Sequence, residues 1–502
     1  MILPLLGACS QPAPPANAPA SVVTWDAPVA LDTDYVVPAG TTLSIAPGVT
    51  VTLAEGVALL VEGELLARGT AEAPIVFTGD VATPWRSIVF DEEALSATFE
   101  GVDVYAEGSI VENAVVEHAT RGMELVGASP YLNRITFRAN ELPLTIDPIG
   151  GAALLVRDRA TPRVRDCHFE GNVANTFAFG GAVYVHHADP ILQDNVFVGN
   201  TSSYGSAVAT DWMASPIVGS HFEGNSTQSE GGAVSLVSSV SAMLADTVVG
   251  NHADTDGGGI HVCVTCNPHA APYLFDLVVT DNTSEASDPD DGAAGIGAAY
   301  LGALQSSDIH GNLRDGRPSE FSWFHPLSER WPAWVADPAV TDVWWGSTDR
   351  AQIDAAVWDG ADSEGYGVVT LDPIRTAPVT GPLPRAIVSS RKLHYEDAGD
   401  DVPVFLTLYN PGPDLAATLT ITHAGQPFAG ELAYPGAIRD GDVWVIDMPE
   451  NTVWFTTLDE TTYDGATIDD VTWEVTITDA ATGVALGVPV RARYLLAPVG
   501  AP

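Results

Sequence analysis

The feature that most constrains this chain is a pair of residues that returns seven times at fixed spacing. An apolar residue is followed three places later by Asn at Phe137/Asn140, Phe169/Asn172, Phe197/Asn200, Phe222/Asn225, Val248/Asn251, Val279/Asn282 and Ile309/Asn312. The steps from one Asn to the next are 32, 28, 25, 26, 31 and 30 residues. Eight places before each Asn stands another apolar residue: Leu132, Val164, Leu192, Ile217, Met243, Leu274 and Leu304. A unit of roughly 25 residues is too small to bury its own apolar face and must stack on its neighbours.

A third element, a small pair followed by apolar alternation, precedes these two. It reads Gly180-Gly181-Ala-Val183-Tyr-Val185, Gly205-Ser206-Ala-Val208, Gly231-Gly232-Ala-Val234-Ser-Leu236 and Gly258-Gly259-Ile260-His-Val262. Apolar alternation with turn residues is the pattern of strands; a helical repeat would show spacings of three and four. Three short strands per coil, stacked about 4.8 Å apart, give parallel sheets with inward columns of Phe, Val, Leu and Ile. An Asn at a fixed turn can bond its copy in the next coil through the side-chain amide. The expected fold is all-β, a right-handed parallel β-helix.

The FxxN and GGA elements, such as Phe169-Glu-Gly-Asn172 and Gly231-Gly-Ala-Val234, resemble the repeats of polymorphic outer-membrane proteins and other pectate-lyase-like β-helices. The resemblance spans about Phe137 to Asn312 and implies the same solenoid. Looser alternation from Ala39 onward, through Leu59 to Gly63 and Trp85 to Phe90, resembles the opening coils of bacterial surface β-helices. Val343-Trp344-Trp345-Gly346 resembles a closing element. Ser347 or Thr348 is expected to cap a short helix with Ile353 and Val357 on one face. The tryptophans then cover the last coil, an unpaired edge, in preference to forming a ligand platform.

These observations divide the chain into residues 1–20, a signal remnant and tether; 21–375, the β-helix with its cap near 340–375; 376–385, a Pro-rich linker; and 386–502. The last region alternates near Val404–Leu408, Ala417–Ile421, Val443–Ile446, Val453–Phe455, Trp473–Ile477 and Val488–Leu495, with turn signals such as Asn410-Pro-Gly412. Six or more short strands there predict an immunoglobulin-like β-sandwich. At the other end, Leu6-Gly7-Ala8-Cys9 resembles the lipobox of bacterial lipoproteins, which implies a lipid on Cys9. No basic stretch precedes it, and the apolar run is short. Ser10 to Ala20 is a Pro/Ala-rich tether. The expected location is extracytoplasmic, on a bacterial outer membrane or cell surface, with membrane attachment only through that lipid.

Twenty basic against 65 acidic residues give a net charge of −45. That excludes nucleic acid, or an anionic membrane met through a basic face, as partner. Local signatures of β-helix lyases and polygalacturonases (Asn-Thr-Asp, Gly-His-Gly, Arg-Ile-Lys) do not occur. The candidate binding residues are Trp212, expected to be exposed, and Arg157 and Arg159, which with Arg163 and Arg165 cluster on one coil. His186, His187 and Asp189 could form an acid–base set, although adjacent strand residues are expected to point to opposite faces. Cys263 and Cys266 are expected to form a disulfide; with His261 and His269 they could instead hold zinc. Cys167 is expected to be a buried thiol. Asp254, Asp256, Glu285, Asp288, Asp290 and Asp291 fall in equivalent turns of two coils and could hold calcium. The function expected is a non-enzymatic surface lipoprotein that recognises a glycan or a protein partner. The alternatives are a polysaccharide lyase or glycoside hydrolase acting on an acidic polysaccharide, and a structural stalk.

Overall fold

The computed structural model describes residues 21–102, 104–143, 150–175, 177–263, 272–285, 292–324, 338–363, 366–390, 401–462, 469–487 and 490–496. The first two-thirds form a parallel β-helix. One coil shows the plan. Val183–His186 starts the coil on face I, Ile191–Gln193 follows on face II, Val196–Val198 lies on face III, and Thr201–Ser202 leads to the next coil. Each pairs in parallel with its copies above and below. The sequence predicts three strands per coil; the structure has a fourth of two residues, directly after each Asn. The stack on face I holds twelve strands, from Tyr35–Val37 to Val357–Trp358.

The repeated residues stack as the spacing requires. Phe137, Phe169, Phe197 and Phe222 are register partners with centroids 4.9, 4.7 and 4.8 Å apart, nearly parallel, and all fully buried. The second column runs through Leu132, Val164, Leu192, Ile217, Met243, Leu274 and Leu304, also fully buried. The glycine pairs have two separate reasons. Gly231 sits at φ +74°, while a Cβ on Gly232 would run into the carbonyl oxygen of Gly258 in the next coil.

The seven asparagines form an unbroken amide ladder. Each Nδ2 donates to the next Oδ1 at 2.8–2.9 Å, from Asn140 through Asn312. Each backbone N–H donates to the same oxygen. The second Nδ2 proton goes back to a carbonyl of the coil before, as from Asn225 to Phe197 at 3.0 Å. All seven are fully buried.

The ladder ends at Asn312, and Glu320 takes the place of an eighth Asn. Its carboxylate accepts from Asn312 Nδ2 at 2.6 Å, Asn312 N at 3.2 Å and Gly311 N at 3.0 Å. Burial pushes this carboxyl up to about 7, against the lowering pull of those three donors. The folded chain therefore binds the proton more tightly than the unfolded chain. The stabilisation is complete below the ordinary carboxylate value and is lost as pH rises to about 7, an effect of about 3 kcal/mol. Asp246 and Asp308 shift upward through burial as well. Melting temperature should fall between pH 5 and 8, and Glu320→Gln should flatten that slope. An equal slope in the variant would rule out this role for Glu320.

The final coils close on aromatic residues. Trp323 and Trp345 are buried at the end of the core, and Ile353 and Val357 join them. The cap helix is Arg350–Asp354, and its N-cap is Asp349, whose side chain accepts from Ala351 N. Ser347, one of the two expected caps, instead accepts from Asp349 N. The residue that caps is the one with extended backbone directly before the first turn.

Beyond the helix the chain forms a sandwich of two antiparallel sheets. One holds Arg385–Ser390, Asp401–Asn410 and Thr452–Thr462. The other centres on Val443–Met448, Leu415–His423, Asp469–Asp479 and Val490–Leu496. Leu406, Leu419, Trp444 and Trp473 pack between them. The sandwich lies against face II of the helix. There the outward positions turn apolar, and Leu244, Tyr273 and Phe275 meet Ile387, Tyr409 and Val453. Asp276 forms a two-pronged ion pair with Arg385, both contacts at 2.9 Å and both side chains fully buried. The segment expected as a linker is held as well: Val379 N donates to Asp308 at 2.8 Å.

Candidate functional site

From Ile191 to Ala303 the sandwich covers face II, and beside those coils the chemistry left to solvent is on faces I and III; before them face II carries an Arg68–Glu112–Arg134 cluster whose two arginines are exposed. Face III presents the outward side chains of its strands. His168 and Glu170 stand 3.7 Å apart, and His221 and Glu223 stand 3.1 Å apart. Between them Val196 and Val198 occupy the same register positions. Towards the start of the helix, Arg138 meets Glu117 at 2.7 Å. Burial acts to raise the Glu117 carboxyl, but its bonds to Arg138 and Thr78 outweigh this and hold it below the usual range. The result is a strip that carries two His–Glu pairs, with one coil of valines between them and Thr247 and Val249 on the coil after.

Face I carries a different set. Tyr184 and His186 project outward from Val183–His186, and His186 Nδ1 lies 3.2 Å from Asp211 of the next coil and 3.4 Å from the Tyr184 hydroxyl. Burial and the Asp211 charge push the Tyr184 hydroxyl up. His187 has φ +51°. The expectation that His186 and His187 face opposite ways therefore fails. The strand ends at His186, and the left-handed residue after it brings the second ring back beside the first, 4.4 Å away. Asp189 is not part of this group; it is buried and accepts from Ala214 N at 2.8 Å.

The other sequence candidates separate. Trp212, expected to be exposed, is 5% exposed and stacks on His187 at 5.7 Å. It occupies the corner position one coil beyond His187, where the chain turns inward, with φ +63°. The four arginines form no single patch, because the coil turns a corner between them. Arg157 ends a face I strand and pairs with Glu124 at 3.0 Å and Asp158 at 2.6 Å. Arg159 is exposed in the corner. Arg163 lies on face II over Phe99 at 4.1 Å and donates to Val102 O, and Arg165 faces Asp166 and Asp194.

No family model and no curated protein matches this chain. Two solved structures do, both tailspike protein mutants of E. coli bacteriophage HK620 in complex with a pentasaccharide. They are 13% and 12% identical, with 86% of each chain covered and a TM-score of 0.19. A likeness this low says nothing about a ligand for this chain.

Of the possible calcium ligands, Asp288, Asp290 and Asp291 lie outside the described residues. Asp254 pairs with His252 at 3.2 Å, whereas Asp256 turns inward to within 3.5 Å of His261. Glu285 is exposed. Among the described residues these three do not converge; the group whose ligand atoms do is His186, His187 and Asp211. Cys9, Cys266 and His269 also lie outside the described residues. His261 is buried between Asp256 and Glu230, and burial holds its imidazole below the usual value. Cys167 is buried, its thiol pushed up to about 12 by desolvation, which makes it unreactive.

Proposed function

We propose that this protein is a non-enzymatic binding protein of the cell surface whose face III takes an extended neutral glycan. The observation that carries this is the pair His168–Glu170 and His221–Glu223, set at one register two coils apart on a face that the sandwich leaves open. Carboxylates accept from sugar hydroxyls, and imidazoles both donate and accept. Two strand spacings, about 10 Å, fit a repeating chain laid along the stack. The charge of −45 disfavours a polyanion, so an acidic polysaccharide is the poorer ligand.

A glycan array with neutral, amine-bearing and acidic members tests this, with product analysis of each mixture. Neutral glycans should be retained, and Glu170→Gln with Glu223→Gln should weaken retention about tenfold. Retention unchanged in that variant, or release of unsaturated fragments from an acidic polysaccharide, would overturn the reading.

We also propose that a lipid on Cys9 holds the protein on a membrane, on the ground of Leu6-Gly7-Ala8-Cys9 and the Pro/Ala-rich tether behind it. Cys9→Ser should move the protein from the membrane fraction to the soluble one. Unchanged fractionation would refute the anchor.

A further inference from the structure

The cluster on face I plays no part in glycan binding by face III, and it has the composition of a metal site. We propose that His186, His187 and Asp211 bind one divalent transition-metal ion, with zinc the ion they suit. One ligand atom from each lies within 4.8 Å of the others. The fold produces this convergence. His186 and Asp211 are register partners on adjacent coils, so the strand spacing sets them side by side. The left-handed backbone at His187 adds the third group from the same strand end.

The donor set decides the class of ion. Two imidazoles and one carboxylate suit zinc and its first-row neighbours, whereas calcium and magnesium take oxygen. Three protein ligands leave a position for water or a polar ligand group. The surroundings hold the ligands in place. Trp212 lies nearly parallel to the His187 ring, with an angle of 19° between them. The Tyr184 hydroxyl is within 3.4 Å of His186 Nδ1. Arg157 is the register partner of His186 on the other side, and a bare guanidinium there would repel a cation. Glu124 and Asp158 engage it instead and offset its charge. The side chains of His186 and Asp211 are 35% and 24% exposed, so an ion can enter from solvent.

The test uses the full chain stripped by a chelator, titrated with zinc chloride by calorimetry and with cobalt chloride by visible absorption. One ion per chain should bind, and cobalt should give a ligand-field band. His187→Asn and Asp211→Asn should each weaken binding about tenfold or more. Asparagine tolerates the positive φ at 187, so the melting temperature of the metal-free variant verifies that it folds. His168→Ala on face III should leave metal binding unchanged. The proposal is overturned if the wild type shows no saturable binding. It is equally overturned if Cys263→Ser, and not His187→Asn, removes the bound ion.

Discussion

Asn225→Ala is expected to destabilise the β-helix by about 3–6 kcal/mol. The side chain makes four bonds in the middle of the ladder. Its Oδ1 accepts from Asn200 Nδ2 and Asn200 N, and its Nδ2 donates to Asn251 Oδ1 and Phe197 O. Alanine leaves two buried donors on Asn200 and the Phe197 carbonyl without those partners. Each orphaned group costs about 1–3 kcal/mol. Asn225→Asp keeps the size and both acceptors but loses the donors and buries a charge, so it should cost at least as much at neutral pH. Denaturant unfolding followed by circular dichroism gives the answer. A loss under about 1 kcal/mol for alanine would mean that the ladder is decoration on a fold held by its apolar columns.

Asp276→Ala is expected to cost about 3–5 kcal/mol, through the interface and not the coils. Arg385 would remain buried with its charge uncompensated, against Phe275 at 4.8 Å. Both side chains are fully out of solvent, and burial raises the Asp276 carboxyl even against the pull of Arg385. The double variant Asp276→Ala, Arg385→Leu should recover much of the loss, since Ile387 and Tyr409 already make the site apolar. Limited proteolysis should release the sandwich from the single variant while the helix keeps its own transition. If the double variant is no more stable than the single one, the pair does not act as a unit.

The solenoid was legible because it repeats. Asn140 to Asn312 announce one turn seven times, and each copy supports the others. Glu320 was not legible, because it does with a different residue type what an eighth Asn would have done. The docked sandwich left a fainter trace. Ala242-Met-Leu244 and Tyr273-Leu-Phe275 are apolar at both inward and outward positions, a break in alternation that marks a covered face. Asp276 and Arg385 stand 109 residues apart, and nothing local links them. The His186–His187 pairing was missed because strand alternation was carried one residue too far. In the corner column Asp158, His187, Trp212 and Ser238 adopt positive φ, and the glycine that signals it stands two coils before His187, at Gly127.

The docked sandwich has a mechanical consequence. Its junction with the helix runs from Ile191 to Ala303, on the flank and not at the tip. A pull between the first strand and the sandwich would enter the solenoid sideways at those coils. The coils between Ser21 and that junction would carry the tension, while those after Gln305 would hang outside it. The sandwich would also act as a splint, because shearing one coil past its neighbour beneath it would have to tear a single rigid body from several coils at once. The stretch that yields first under force should therefore lie before Ile191, where the brace is no longer the sandwich across several coils but the hairpin that carries Phe99 and Tyr105, packed on Tyr131 and Arg163.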